Sequence, residues 1–421
     1  MKITYLNMKT MRLIWILLLF TGNVLPALAQ EEANYVTVNG TVRDKQSKRL
    51  LDYVTVSVAG TSVGTITNAD GVFTIKVNKD LKAKTLEFSH VGYYTQKFSI
   101  QESGVQEAAV VLTPLISTLQ EVVVQGVSAR DLVRAAIEKI AKNNSPTPNL
   151  LTGFYRETIK KRRNYINISE AIVNIYKTSY EESITRDRVQ VYKGRQLLSP
   201  RRGDTLIVKL QGGPNLSIYL DVVKNRESIL DPESLSDYKF RIEKSTMIDE
   251  RPHYVISFEP QVILPYPLLY GKLYIDEQSL AFSRAEFSLS MDDRNKATQA
   301  ILRKKPFNLR FKPEEVNYLA TYKQQNGCSY LNYIRSEINF KCDWKRRLFS
   351  TNYSVVSEMV VTDRKERDII NIPSRLVFSD RHSLSDKVSS FYDEDFWEDY
   401  NIIAPTESLE AAVNKLRKSI K

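Results

Sequence analysis

Two hydrophobic periods organise the chain. Between Val36 and Leu112, apolar residues recur at every second position. Val36, Val38 and Val42 alternate with Thr37, Asn39 and Thr41; Val54, Val56 and Val58 with Thr55 and Ser57; Phe73, Ile75 and Val77 with Thr74 and Lys76. A period of two points one row of side chains inward and the other outward, which predicts half-buried strands. The runs are short and end in turn residues, at Gly60, Gly64, Asn68-Ala69-Asp70-Gly71 and Asn78-Lys79-Asp80. About seven such strands predict a two-sheet sandwich. The period then lengthens. Leu132, Ala136 and Ile140 share one helical stripe, with Val133 and Ile137 beside it. Ser128 can cap this helix and Asp131 lies in its first turn; Asn143-Asn144-Ser145-Pro146 stops it.

From Leu151 the pattern returns to strands, now longer. They are predicted over 154–160, 165–176, 238–247, 253–258, 269–275, 281–290, 318–323, 329–341 and 348–361. Asn326-Gly327 is the preferred dipeptide for a tight hairpin between two of them. Short helices are predicted over 216–223, 294–303 and 391–397, and Thr406 caps a last one with Leu409, Val413, Leu416 and Ile420 on one face. The expected fold is mainly β with α: a seven-stranded N-terminal β-sandwich over 36–112, a linker and amphipathic helix over 113–150, a larger α+β domain on a curved antiparallel sheet over 151–403, and a C-terminal helix over 404–421.

Residues 1–29 fit none of these periods. Lys2, Lys9 and Arg12 precede the apolar run Leu13–Phe20, and Ala27-Leu28-Ala29 precedes Gln30. This is the pattern of a signal peptide cleaved between Ala29 and Gln30, so the chain is expected to be exported, to the periplasm or in association with the outer membrane. Export changes the reading of the net charge of +11. Outside the cytoplasm the counter-charge is an anionic headgroup or acidic glycan, giving peripheral membrane contact, and no nucleic-acid partner is expected. Cys328 and Cys342 are the only cysteines, and the residues between them read as one strand. At about 3.3 Å per residue the two sulfurs are too far apart to bond, which predicts two free thiols.

The segments Gly40-x-Val42-x-Asp44, Gly60-Thr61, Gly64-Thr65, Asp70-Gly71-x-Phe73 and Val91-Gly92-Tyr93 together resemble the carboxypeptidase regulatory-like domain, a transthyretin-like sandwich. In that family the module accompanies peptidases and receptors and carries no catalysis. Leu119-Gln-Glu-Val-Val-Val-Gln-Gly126 resembles the segment that follows this sandwich in starch-utilisation-type TonB-dependent receptors. The residues after it are too few for a barrel of ~22 strands at about ten residues each, so no transmembrane barrel is expected. Gly153-Phe-Tyr-Arg-Glu157, Ser169-Glu-Ala171, Gly213-Pro214, Leu220-Asp-Val-Val-Lys224, Asp395-Phe-Trp397 and Tyr400-Asn-Ile-Ile403 resemble a family of uncharacterised Gram-negative envelope proteins with the same N-terminal sandwich. Gly271-Lys-Leu-Tyr-Ile-Asp276 is similar to the open half-barrels of lipoprotein-carrier-like periplasmic proteins.

The chemistry-bearing residues are sparse. His90, His253 and His382 have no zinc-ligand spacing. No Gly-x-Ser-x-Gly elbow and no Gly-rich phosphate loop occur, and Gly212-Gly213-Pro214 is a turn. No catalytic, cofactor-binding or metal residue is therefore assigned, and no cofactor. Glu157, Glu170, Glu337 and Glu358 lie on predicted strands, where inward-facing carboxylates can serve as acid and base. Asp204-Thr205-Leu206 resembles an O-glycosylation site of Gram-negative envelopes, with Thr205 as acceptor. Two functions stand side by side. One is a non-enzymatic envelope protein that binds an envelope partner, an apolar molecule or a glycan through the sandwich and the curved sheet. The other is an envelope hydrolase that uses sheet carboxylates on glycan or peptide.

Overall fold

The alternating valines pair as strands because one row of each can be buried only against a second sheet. In the computed structural model, which describes residues 34–101, 104–115, 128–204, 206, 208–344, 350–390, 394–398 and 400–420, the first seven strands are β1 (Tyr35–Asp44), β2 (Thr55–Val58), β3 (Gly64–Ile66), β4 (Val72–Asn78), β5 (Thr85–Ser89), β6 (Gln96–Ser99) and β7 (Val105–Leu112). They form two sheets, ordered β4-β1-β7 and β3-β2-β5-β6. Their inward rows, including Val38, Val42, Val56, Phe73, Ile75 and Phe88, make one core. Gly40 is needed where β1 meets β7, because a Cβ there would lie 2.0 Å from the Ala108 carbonyl oxygen. The leader with Ala29 and Gln30, the Glu121-Val-Val-Val segment and Thr205 lie outside the described residues.

The amphipathic helix is capped by Ser128, whose hydroxyl accepts the Asp131 backbone N–H. It breaks at Lys139 into α1 (Ala129–Glu138) and α2 (Ile140–Asn143). Beyond it the long strands are β8 (Asn149–Lys161), β9 (Asn164–Lys177), β10 (Arg188–Leu198), β12 (Tyr238–Ile242), β13 (Thr246–Ile248), β14 (Arg251–Pro260), β15 (Leu269–Asp276), β16 (Phe282–Leu289), β18 (Leu309–Gln325), β19 (Cys328–Trp344), β20 (Thr351–Lys365) and β21 (Ser389–Ser390). They build one twelve-stranded sheet in the order β12-β14-β15-β16-β18-β19-β20-β8-β9-β10-β21, with β13 paired to β14. Short β11 (Lys209–Leu210) and β17 (Leu302–Lys304) pair separately. Asn326 and Gly327 both have positive φ, and they join β18 to β19 as the dipeptide predicts. Cys328 and Cys342 sit near opposite ends of β19, both as free thiols.

Three helical predictions shift. The segment near 216 is helical as α3 (Pro214–Tyr219), the next is α4 (Arg294–Ile301), and the C-terminal helix is α5 (Glu407–Ile420). Leu302 and Arg303, expected to continue α4, turn into β17 instead, because Leu302 and Lys304 pair with Leu210 and Lys209. Only a short 3-10 turn, Glu394–Trp397, is described in the third region.

The sheet has two differently used faces. On the inner face, one core gathers α1, α2 and the β14–β16 side, with Leu132, Ile137, Tyr155, Ile256 and Leu273. A second core gathers Ile159, Ile166, Ala297, Ile301, Phe311 and Phe340. The outer face carries Phe154, Ile172, Tyr333 and Val360, covered by Trp397, Ile403 and Ile66 of the sandwich. The segment 401–405 ties the two layers together. Asn401 exchanges hydrogen bonds with the Lys76 backbone at 2.6 and 3.0 Å, Thr65 donates to the Ile402 carbonyl, and Asn68 donates to those of Ala404 and Pro405. Sandwich and sheet belong to the same compact unit, Tyr35–Lys421.

Candidate functional site

Strand parity decides which carboxylates can meet a ligand. Along β8, Phe154 and Arg156 face outward, while Tyr155, Glu157 and Ile159 face the inner side. Glu170 stands opposite Arg156 on β9 and so faces outward too. Arg156 Nε donates to Glu170 Oε1 at 2.8 Å, its Nη2 to the Ile403 carbonyl at 2.7 Å, and its Nη1 lies 3.5 Å from Glu358 Oε1. Arg195 of β10 grips Glu170 Oε2 through Nε and Nη2 at 3.0 and 2.9 Å, and its guanidinium lies over the Trp397 ring. Burial alone would push the Glu170 carboxyl up, but Arg156 and Arg195 outweigh it and hold it below the ordinary range. Glu358 receives the Tyr333 hydroxyl at 3.1 Å, and Glu337 is held by Arg335 at 3.0 Å. Of the four candidate carboxylates, these three serve outer-face ion pairs, and Glu170 and Glu358 hold the Arg156 that bonds the C-terminal segment at Ile403.

Glu157 is different. It lines a cavity of about 330 Å³ on the inner face, beside the second core. The cavity's apolar wall comes from Ile159 and Ile166 of β8 and β9, Ile338 and Val355 of β19 and β20, and Leu206 and Leu210 of the facing segment. Ser336, Ser357 and Asn167 supply hydroxyl and amide groups, while Arg303, Arg381 and Lys209 stand among the lining cations. The Glu157 side chain is almost fully buried. Its Oε2 accepts the Tyr155 hydroxyl at 3.1 Å, and the Gly213 backbone supplies a further hydrogen bond. The turn at 212–213 comes this close because it lacks side chains. A Cβ on Gly213, where φ is +86°, would lie 2.9 Å from the His382 carbonyl oxygen. Burial drives the Glu157 carboxyl up to about 7, and the nearby Asp386 charge adds to the rise.

Asp386, which no motif identifies, lines the same cavity. Its Oδ2 accepts both the Ser383 backbone N–H at 3.1 Å and the Ser383 hydroxyl at 3.0 Å, closing a capping box. Burial raises its pKa, but the Ser383 hydrogen bonds and the Lys209 charge more than offset that, so the carboxyl lies below its ordinary value. The spacing Ser383-x-x-Asp386 is a legible sign of the cap; nothing in it indicates the cavity. Asp204 and Leu206, which flank Thr205, also line the cavity.

The three histidines do not converge. His253 lies in a second cleft, of about 430 Å³, between the sandwich and the sheet, together with His90. One His253 ring nitrogen is 2.7 Å from the Ser283 hydroxyl and the other 2.8 Å from the Arg251 carbonyl oxygen. Burial holds both histidines below their usual pKa. The charges of this cleft are mostly matched internally, Arg251 with Asp276 and Lys97 with Glu87. Among the described residues no three His, Cys, Asp or Glu side chains are grouped to hold a metal ion.

The Leu220–Lys224 motif forms a second polar network, sealed inside the first core. Asp221 accepts Lys177 at 2.7 Å and the Tyr180 and Tyr322 hydroxyls at 3.0 and 2.8 Å. Lys224 bonds Asp187 at 2.7 Å and Thr178 through both its carbonyl and hydroxyl oxygens. Burial pulls the Lys177 ammonium down, but Asp221 and Asp187 together lift it above an ordinary lysine.

Comparison with known proteins adds the following. Residues 38–124 match the family model described as CarboxypepD_reg-like domain, which is the regulatory-like sandwich expected from the Gly, Asp and Val-Gly-Tyr motifs. No curated protein matches the chain. Among solved structures it is similar to a domain described as an outer membrane lipoprotein-sorting protein from Vibrio parahaemolyticus, with 12% identity over 58% of this chain and 95% of that one, at a TM-score of 0.25. It is also similar to a DUF1329 family protein from Desulfovibrio piger, with 10% identity over 59% of this chain and 97% of that one, at a TM-score of 0.25. Among the described residues no helix is long and apolar enough to cross a membrane.

Proposed function

We propose that this chain is an exported, non-enzymatic envelope protein that holds an apolar or amphipathic molecule in the Glu157 cavity, with the sandwich over 36–112 as its docking module. The observation that carries this reading is the cavity itself: apolar walls from four neighbouring strands around one buried carboxyl near neutrality. Ligand sites are typically concave and apolar, with a few polar groups that fix orientation. The leader pattern supports the envelope location. An environment-sensitive fluorescent fatty acid should bind the mature chain with one saturable site. Leu210→Trp, a partly exposed wall position, should weaken that binding at least tenfold by filling the space. Unchanged affinity in the variant, or no saturable uptake at all, would sink the cavity reading.

One observation favours the hydrolase instead. Glu157 and Asp386 share a cavity, and their surroundings drive the two carboxyls in opposite directions. That is the division expected of a general acid and an ionised partner. Release of reducing ends from peptidoglycan, abolished by Glu157→Gln, would establish this reading over binding. No release by the wild-type chain removes it.

Thr205 is proposed as an O-glycan acceptor; its sequence neighbours Asp204 and Leu206 line the cavity. Intact-mass analysis of native protein should show a glycan increment that disappears in Thr205→Ala, and an unmodified wild-type mass refutes it.

A further inference from the structure

One end of the large sheet exposes apolar side chains amid lysines and arginines. The loop 261–268, between β14 and β15, reads Gln-Val-Ile-Leu-Pro-Tyr-Pro-Leu, and Ile263 at its tip is 92% exposed. The loop between β17 and β18 reads Lys305-Pro-Phe-Asn308, and Phe307 is 90% exposed. Both loops leave the sheet at the same end. Leu269 of β15 pairs with Leu289 of β16, Ser288 pairs with Asn317 of β18, and β18 starts eight residues farther out in the same direction, at Leu309. Helix α4 lies between them, and Lys296 Nζ donates to the Leu264 carbonyl at 2.7 Å, which fixes the first loop against it.

The charge around α4 and the second loop is one-sided, whereas the first loop lies beside Asp237, whose carbonyl accepts the Gln261 backbone N–H at 2.9 Å. From residue 292 to 312 there are seven lysines and arginines against two acidic residues, Asp292 and Asp293. Asp293 caps α4 and Asp292 accepts the Ser290 hydroxyl. Lys312 is paired with Asp343, and among the described residues Lys296 and Lys305 bond backbone carbonyls, which carry no counter-charge. The β8–β9 turn adds Arg162 and Arg163 at the same end, three strand spacings from β18, or about 15 Å.

We infer that this end of the sheet docks on an anionic phospholipid bilayer, with Ile263 and Phe307 entering the headgroup region and the surrounding lysines and arginines contacting the phosphates. Apolar tips on separate loops, the second of them among cations, suit an interface that is soft and negatively charged. A protein partner would instead call for a contiguous, packed anchor cluster. The placement also joins the bilayer to the cavity. β17, which supplies the wall residue Arg303, pairs with β11, which supplies Lys209 and Leu210, and Phe307 follows β17 directly. A molecule leaving the cavity on that side meets the docked surface. The docking itself does not depend on what the cavity holds.

The test is vesicle flotation of the mature chain at low salt. Vesicles of phosphatidylethanolamine and phosphatidylglycerol in about a 70:30 ratio are compared with phosphatidylcholine alone. The chain should partition at least tenfold more strongly onto the anionic vesicles and be released as salt rises, because exposed charges are screened. Ile263→Ser with Phe307→Ser should lower the partition about tenfold or more. Lys304→Ala with Lys305→Ala should lower it about fivefold per lysine. All four side chains are exposed, so a urea midpoint equal to wild type certifies folding. Equal binding to both vesicle types, no binding, or variants that bind like wild type would each overturn the inference. These variants should still take up the fluorescent fatty acid from buffer. A chain that binds vesicles but takes up no fatty acid strikes the cavity reading alone.

Discussion

Replacing Asp221 by alanine should lower the unfolding free energy by about 3–5 kcal/mol at neutral pH, the range for breaking a buried ion pair from one side. Asp221, Asp187, Lys177 and Lys224 are all essentially inaccessible to solvent, so two ammonium groups are balanced by two carboxylates with no help from water. Without Asp221, both lysines must share Asp187, and the Tyr180 and Tyr322 hydroxyls lose their acceptor. One lysine is then better off neutral. Its folded-state pKa falls below the unfolded value, so the penalty is present at neutral pH and fades as pH rises toward the unfolded lysine pKa of about 10.4. Urea unfolding at pH 7 and pH 10 measures both parts. A loss under about 1 kcal/mol at pH 7, or a loss that does not shrink at pH 10, would show that water reaches this network.

Glu157→Gln should have the opposite sign. The Glu157 carboxyl is raised by burial from an ordinary 4.5 to about 7 in the folded chain. Between those values the folded state holds a proton that the unfolded state has released, so wild-type stability falls as pH rises through this window. Above it the buried charge costs about 3 kcal/mol, the free-energy equivalent of the shift. The glutamine variant has no such charge. It should match wild type near pH 4 and be more stable by up to about 3 kcal/mol at pH 8. Equal pH dependence of the two urea midpoints between pH 4 and pH 8 would place the carboxyl in contact with bulk water. A site that weakens its own fold at neutral pH is what a functional carboxyl in an apolar cavity predicts.

The sandwich was legible because each of its strands has one wet face and one dry face, so burial is written as strict alternation. The large sheet was less so, for two local reasons. Strand β10 hides behind Lys193-Gly194-Arg195, which reads as a polar loop; Arg195 is buried because Glu170 on the next strand neutralises it. The first half of β18 hides behind Pro313, which sits at a bulge opposite Phe340. The stretch 238–247 reads as one strand but breaks into β12 and β13. The candidate site shows the same limit. Four strand glutamates were visible, yet only register and partners separate Glu157, which faces the inner cavity, from Glu170, Glu337 and Glu358, each bound to an arginine. Asp386 joins Glu157 from the far side of the chain, a proximity that no spacing encodes.

The strap at 401–405 has a kinetic consequence. Its hydrogen bonds to the sandwich join residues 325 to 337 positions apart, and the Arg156 bond to the Ile403 carbonyl spans another 247. Contacts of that separation form late, after the large loop-closure entropy has been met. The sandwich has its own core and can fold early. Its direct contacts with the sheet, such as the Gly92 backbone N–H to the Met247 carbonyl and the Ser62 hydroxyl to Asp363, form as those strands are made, but the bonds of the strap must wait until residues 401–405 have been synthesised. The strap is therefore the final part of the joint to assemble, and a chain interrupted before it would hold its two layers together by the direct contacts alone.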